Sequence, residues 1–465
     1  MRRIMPRGLG GSIVACALLG STSASAQGQE ATPMVQQPLR LADGAPLVCI
    51  YYFGHWWEPW KSDDHRILDD FQRLKELGFN TICVDHEWSQ AIDGDWRWLD
   101  REHRLAKQAG LQIIPWLSLK TWSDMSSAAR RSLVKDWFGV ELALGVNQDG
   151  EPSVVQPYDE ATITAGAGYA ARYLERYGKD GALLHVRWRG AVRPVIALTV
   201  ELAWSGPSSF DERTNAMFRE WLQTRYGNDI GPLNESWQTE YRGFEDIDPR
   251  DKTIFDYDGH VRRLQTGEPR DEQGREVDRH PQAVEDHVEF RSQTISDSLG
   301  KMKARLARTH PGVVHLAEIP YEPLCEHPHA KAYRVAYGAN MSTADYADVL
   351  LVRNSGTGSD KSFEALRERS RRTGQKVIMT FRIGRAQGPG RTDISEEEAL
   401  RLFADRTAEY CHGLGYYSWN EMVDVHVAAP GPGSPKNNVT VSERDSKRLQ
   451  GRMDTINRRY AELVR

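Results

Sequence analysis

Short apolar runs alternate along this chain with amphipathic stretches that end in glycine. Leu47-Val48-Cys49-Ile50-Tyr51-Tyr52-Phe53 is a run of β-branched and aromatic residues, which predicts a buried strand. Ser62-Asp63-Asp64 supplies helix caps. Leu68, Phe71, Leu74 and Leu77 follow at helical spacing, and Gly78 stops the helix. Thr81-Ile82-Cys83-Val84-Asp85 is a second strand. Trp98, Leu99, Leu105, Ala106 and Ala109 mark a second helix, closed by Gly110, and Ile113-Ile114-Pro115-Trp116-Leu117 is a third strand. Strand, helix, glycine, strand is the βαβ unit, which implies a parallel sheet covered by helices.

The unit returns downstream. Pro194 to Leu202 reads as a strand, with a helix holding Met217, Phe218, Trp221 and Leu222 after it. Val313–Ala317, Asp348–Val352, Gln375–Phe381 and Leu414–Trp419 are further strands, and Leu366 leads into a helix that stops at Gly374. In order these make eight, the number that closes a barrel. The expected fold is α/β, a (β/α)8 TIM barrel over residues 47–428. Stretches near 120–190 and 228–285 do not fit the unit. They are read as long insertions after strands three and four, the second charged and partly mobile. Residues 429–465 read as a Pro/Gly loop and a final charged helix.

The first 26 residues read as an export signal. Arg2, Arg3 and Arg7 precede a short apolar run, Ile13 to Leu19, and Ala24-Ser25-Ala26 has the form of a cleavage site. Residues 27–46 read as a polar linker. A secreted or periplasmic protein is expected. Ile13-Val14-Ala15-Cys16 loosely matches a lipid-attachment box and is the weaker reading. The apolar run is too short to span a bilayer.

Composition narrows the partners. The 465 residues carry 60 Lys+Arg against 65 Asp+Glu, a balance that gives no support to nucleic-acid binding. The cysteines show no CxxC spacing, and nothing in the spacing calls for a metal or a cofactor. Cys49 and Cys83 fall on neighbouring predicted strands, where buried free thiols are the simpler reading than a disulfide. Fourteen tryptophans offer flat apolar faces suited to sugar rings, although most tryptophans serve a core.

A barrel of this kind works at the C-terminal ends of its strands. Those ends hold Trp56 and Trp57, Asp85 and Glu87, Trp116, Glu201 and Trp204, Glu318, Arg382, then Trp419, Asn420, Glu421 and Asp424. A rim of carboxylates and tryptophans suits glycosidic chemistry, where one carboxylic acid protonates the leaving oxygen and a second carboxylate attacks or activates water. Glu201 follows Val195-Ile196-Ala197-Leu198-Thr199-Val200, an apolar run whose burial favours a raised pKa. Glu421 stands in a similar setting. The expected catalytic residues are Glu201, Glu421 and Asp424, with the other rim residues binding carbohydrate.

Two resemblances bear on this. Phe218-Arg219-Glu220-Trp221-Leu222 through Tyr226-Gly227, then Leu233-Asn234-Glu235-Ser236-Trp237, resembles glycoside hydrolase family 42, the β-galactosidase-like barrels. That resemblance implies that Glu201 is the acid/base. The family's nucleophile at the end of strand seven has no counterpart, because Thr380-Phe381-Arg382 stands there, and Val200 replaces the usual Asn. Ser418-Trp419-Asn420-Glu421-Met422-Val423-Asp424 resembles the end strand of family 99-like barrels, which implies catalytic roles for Glu421 and Asp424. A barrel that binds carbohydrate without cleaving it is the alternative expectation.

Overall fold

The computed structural model describes residues 36–53, 60–91, 94–118, 128–155, 158–179, 181–199, 210–270, 273–320, 331, 335, 340–354, 360–383, 389, 393–419 and 443–465. Eight parallel strands close into a barrel: β1 (Val48–Tyr51), β2 (Thr81–Asp85), β3 (Gln112–Ser118), β4 (Ala191–Thr199), β5 (Val314–Pro320), β6 (Val349–Asn354), β7 (Lys376–Arg382) and β8 (Gly413–Tyr417). Each pairs with the next, and β1 pairs with β8 with Val48 beside Leu414. All eight strands read from the sequence are present.

Strand alternation sorts the side chains. Cys49, Ile114, Val195, Ala197, Val314, Leu316, Val349, Leu351 and Ile378 fill the barrel interior. Val48, Ile50, Ile82, Val84, Leu350, Val352, Val377 and Met379 point outward, against the helices. The interior is tightest at β8. A methyl group at Gly415 would sit 2.5 Å from the Thr380 side chain and 2.9 Å from Cys49 Sγ, so only glycine fits there. Leu39, Leu41, Leu184 and Val186 seal the floor. They come from the segment before β1 and from the short strand His185–Trp188, which runs antiparallel to β4. Cys49, Cys83 and Cys411 are buried free thiols.

The helices behave as the caps and glycines predict. Asp63 accepts hydrogen bonds from the His65 and Arg66 amides at the start of helix Asp64–Glu76. Gly110 takes the left-handed conformation, φ 71°, that ends helix Arg97–Ala109. The final helix, Glu443–Leu463, lies on the barrel. Asn457 Nδ2 donates to the Leu77 carbonyl at 2.9 Å, and Tyr416 donates to Asn457 Oδ1 at 2.9 Å.

Two helix assignments differ from the expectation. Helix Glu160–Tyr177 lies inside the stretch read as the first insertion, yet it packs Ile163, Ala170, Tyr173 and Leu174 with Leu117, Ile196 and Leu198 of β3 and β4. Its packing surface is rich in alanine and tyrosine, which weakened the periodic signal. Helix Glu212–Arg225, which carries Met217, Phe218, Trp221 and Leu222, does not belong to the barrel wall. Phe218 and Leu222 share a separate core with Leu233, Trp237, Phe255, Val284 and Phe290. The helix that returns to β5 is Pro281–Thr309, whose Ile295, Leu299, Met302 and Leu306 pack with β4. Residues 210–290 therefore form a helical layer with its own apolar core. The charge that suggested a mobile segment lies outside that core.

Candidate active site

The last inward layer of the barrel brings chemistry together. Continuing the alternation past Cys49, Ile114, Leu316 and Leu351 brings Tyr51, Trp116, Glu318 and Arg353 to the interior at the C-terminal end. The contacts agree. Tyr51 donates to Glu318 Oε1 at 2.8 Å, and Arg353 Nε donates to the same oxygen at 2.6 Å. The Arg353 guanidinium lies 4.8 Å from the centre of the Tyr417 ring, and that of Arg382 lies 5.2 Å from it. Tyr51 meets Trp116 edge-on at 5.1 Å and Tyr417 at 5.0 Å, and Phe53 stands 5.5 Å from Tyr417. The result is an aromatic bowl crossed by one ion pair.

Burial and charge set the ionisation. Burial pushes the Tyr51 phenol well above its usual range, and Glu318 adds to the rise. Burial works against the Arg353 charge, but Glu318 and the two tyrosines hold it firmly protonated. The Glu318 carboxylate thus lies between the Arg353 guanidinium and the Tyr51 hydroxyl. Trp116 is almost fully buried. Among the described residues its Nε1–H has no acceptor, which is costly for a buried donor unless something else supplies one.

Behind β2 a polar chain fixes the backbone between Asp85 and Glu87. The His86 N–H donates to the Trp116 carbonyl at 2.9 Å, and the His86 carbonyl accepts from the Tyr169 hydroxyl at 2.8 Å. The ring chain has one consistent direction. His103 Nδ1 accepts from the Ala182 amide at 3.0 Å, so its proton sits on Nε2 and goes to the Tyr173 oxygen at 2.6 Å. Tyr173 then donates to His86 Nδ1 at 2.6 Å, and His86 Nε2 donates to Glu102 at 2.6 Å. Burial and the neighbouring His86 push the His103 pKa down to about 2, so this ring is neutral.

Of the expected site residues, Trp116, Glu318 and Arg382 meet in this bowl. Asp85 ends β2 in register with Trp116. Glu87 is buried near Tyr169, where its charge adds to the rise that burial gives that phenol. Trp419 lies elsewhere. It is buried in the outer core with Tyr52 and Trp60, its indole beside the Asp70 carboxyl. Burial lifts Asp70 to about 6 against hydrogen bonds from Tyr52 and Trp60 and the nearby Trp419 indole. Trp56, Trp57, Glu201, Trp204, Asn420, Glu421 and Asp424 lie outside the described residues. Sequence reading did not single out Tyr51 and Tyr417. Aromatics at strand ends read as core, and only the inward phase of the alternation distinguishes them.

Comparison with solved structures places this architecture. A β-galactosidase from Rahnella sp. R3 superposes with a TM-score of 0.56 at 13% identity, covering 92% of this chain and 58% of that one. The catalytic domain of a β-amylase from Paenibacillus polymyxa gives 0.51 at 15% identity, covering 81% and 93%. An exo-carrageenase of family 42 from Bacteroides ovatus gives 0.50 at 14% identity, covering 93% and 56%. The fold is the TIM barrel that these glycoside hydrolases share. The chain spans a little over half the length of the β-galactosidase and the exo-carrageenase. No family model matches the sequence, and comparison with curated proteins finds no relative. Among the described residues, no helix is long and apolar enough to cross a membrane.

Proposed function

We propose that this chain is an exported glycoside hydrolase that cleaves an oligo- or polysaccharide with Glu201 as the acid. Glu421 serves as the nucleophile or base, with Asp424 as its alternate. The observation that carries the reading is the bowl at the C-terminal rim. It combines aromatic faces, two guanidinium groups and an indole N–H without an acceptor, in a fold whose solved neighbours are glycoside hydrolases. Glu201 follows two residues after Thr199, the last residue of β4, and Glu421 four after Tyr417, the last of β8. Glu318 is paired with Arg353, and Glu201 is the carboxyl assigned here as the proton donor. In the reaction the Glu201 acid gives its proton to the glycosidic oxygen as the bond breaks. The second carboxylate stabilises the positive anomeric carbon or delivers a deprotonated water to it.

Release of reducing sugar from a panel of glycans tests the assignment. Glu201→Gln lowers the rate about 10²–10⁴-fold; equal rates in both proteins reject it. Strands β4 and β8 stand opposite each other in the barrel. If Glu201 and Glu421 are the working pair, their opposite strands favour the wider spacing of inverting enzymes over the roughly 5 Å of retaining ones. The first-formed anomer, followed by NMR, reports this directly, and a retained configuration rejects it.

One observation favours the second reading, a barrel that binds carbohydrate without cleaving it. β7 ends in Arg382, which packs on Tyr417, where the resembling family carries its nucleophile. Calorimetric binding of a glycan that wild type never cleaves supports that reading, and any turnover abolished by Glu421→Gln rejects it.

A further inference from the structure

Beside the helical layer of residues 210–290 lies a buried cation, Arg291, that forms no ion pair with a described residue. Arg291 on helix Pro281–Thr309 is fully buried. Among the described residues, none of its three guanidinium nitrogens meets a partner in good hydrogen-bond geometry, the Tyr257 hydroxyl being the polar group beside it. His287 lies one turn earlier on the same face. It is equally buried, and its Nε2 has no partner either. The Tyr158 hydroxyl, near the start of helix Glu160–Tyr177, is a third buried polar group in this state.

These groups are neighbours. The Tyr257 hydroxyl bonds His287 Nδ1 and feels the charge of Arg291 and the presence of Tyr158. Burial and the Arg291 charge keep the His287 ring neutral. Taking Tyr257 as the donor to Nδ1 leaves the ring proton on Nε2, which is then a donor. Phe210 and Phe218 wall the ring at 5.2 and 4.7 Å. The cluster thus offers a guanidinium, an imidazole N–H and a phenol in an apolar surrounding.

The carboxylates nearby are committed elsewhere. Asp286 accepts from Trp237 Nε1 at 2.9 Å, Tyr226 at 2.5 Å and Gln282 at 2.7 Å. Glu285 pairs with His260, and Glu289 accepts from Gln293 and Asn340. A buried cation without a countercharge in an apolar site is strongly disfavoured, and the described carboxylates do not supply one to Arg291.

The place fits a substrate contact. Ser296 on the same helix accepts from the Tyr346 amide, and the Tyr346 hydroxyl donates to the Leu198 carbonyl near the end of β4. The helix runs back toward the start of β5. Arg291, five residues before Ser296, therefore stands about 7 Å further toward the C-terminal rim.

We propose that Arg291, His287, Tyr257 and Tyr158 form a subsite for an oxyanion carried by the sugar, the carboxylate of a uronic acid or the sulfate of a sulfated unit. The substrate class is then an anionic glycan. This assignment rests on the reading of the chain as a glycan-cleaving barrel.

Calorimetry and thermal unfolding of the full chain test it with sodium sulfate, galacturonate and neutral galactose, against sodium chloride at equal ionic strength. Wild type binds at least one of the two oxyanions, and galactose at least tenfold more weakly. A response to sulfate alone identifies a sulfate ester; a response to galacturonate identifies a carboxylate. Arg291→Met weakens the binding at least tenfold and Tyr158→Phe about threefold, the second variant serving if the first does not fold. Absence of binding to wild type, or equal binding by both variants, overturns the subsite. If neutral glycans are cleaved while neither oxyanion binds, the subsite fails and the hydrolase reading stands. If an oxyanion binds through Arg291 while no glycan is cleaved, the hydrolase reading fails and the subsite stands.

Discussion

Two buried histidines, His86 behind β2 and His287 in the helical layer above β4, sit in opposite kinds of polar cluster. Around His86 both ring nitrogens are engaged, and so are both ring nitrogens of His103 in the same chain. Around His287 one nitrogen is engaged, and the adjacent Arg291 has no ion-pair partner among the described residues. In the first cluster every ring and hydroxyl donor has a destination inside the fold, and the chain fixes the backbone beside Asp85. The second is open, so its satisfaction depends on something that the fold does not contain. Burial is the same in both. What separates scaffold from site is whether the hydrogen-bond inventory balances.

The largest effect that tests this contrast comes from acid. His103 is lowered to about 2, His315 and His412 to about 3, and His287 well below its usual value, all mainly by burial. Their folded pKa values lie below the unfolded value near 6.5. The stability they hold is therefore complete above pH 6.5 and is lost as pH falls toward 3, at up to about 1.4 kcal/mol per pH unit for each ring. Calorimetry at pH 5.5 in buffers of different ionisation enthalpy should show on the order of four protons bound on unfolding. Fewer than two means that these rings are not neutral in the fold.

Opening the closed cluster comes next. Tyr173→Phe removes the hydroxyl that serves both His103 and His86, orphaning two buried nitrogens at a cost of about 3 kcal/mol by urea unfolding. A loss under about 1 kcal/mol shows that the chain relaxes around the gap.

His260 sharpens the comparison within the helical layer itself. Burial lowers its pKa, but Asp278 at 2.9 Å and Glu285 at 3.1 Å outweigh burial and raise it to about 9. The sign is opposite to that of the buried neutral rings. Its stability is complete below pH 6.5 and is lost as pH rises to 9, by about 3 kcal/mol. His260→Gln should flatten Tm against pH in that window; an unchanged slope assigns the alkaline loss to other groups.

The smallest effect has the most telling sign. Arg291→Met breaks no ion pair with a described residue and removes a buried charge whose described polar neighbour is the Tyr257 hydroxyl. In the absence of oxyanions it should raise stability by about 1 kcal/mol. A fall of 2 kcal/mol or more in urea unfolding shows that Arg291 already has a partner in the fold.

The barrel was legible because each strand is a short β-branched or aromatic run stopped by a turn residue, and a run such as Thr81–Asp85 coincides with β2 in both bounds. The helices were less legible. Glu160–Tyr177 packs with small residues, whereas Glu212–Arg225 shows a strong apolar stripe that serves a different core. Periodicity reports that a face is buried, not against what. The site was legible as a set of strand ends, not as partners. Glu318 and Arg353 stand 35 residues apart on adjacent strands, and their pairing removes a carboxylate that the sequence alone leaves available. Trp419 passed as a sugar platform because a tryptophan after a strand can face either way; it faces the outer core.

The seam between β1 and β8 has a consequence in time. Val48 lies beside Leu414, 414 − 48 = 366 residues later in the chain. At roughly 5–20 residues per second of synthesis, about 20–70 s pass between the emergence of the two strands. Until then the nascent sheet is an open ribbon with β1 unpaired along one edge, a template for wrong partners. A ribosome-bound chain is therefore an unclosed sheet until its eighth strand arrives.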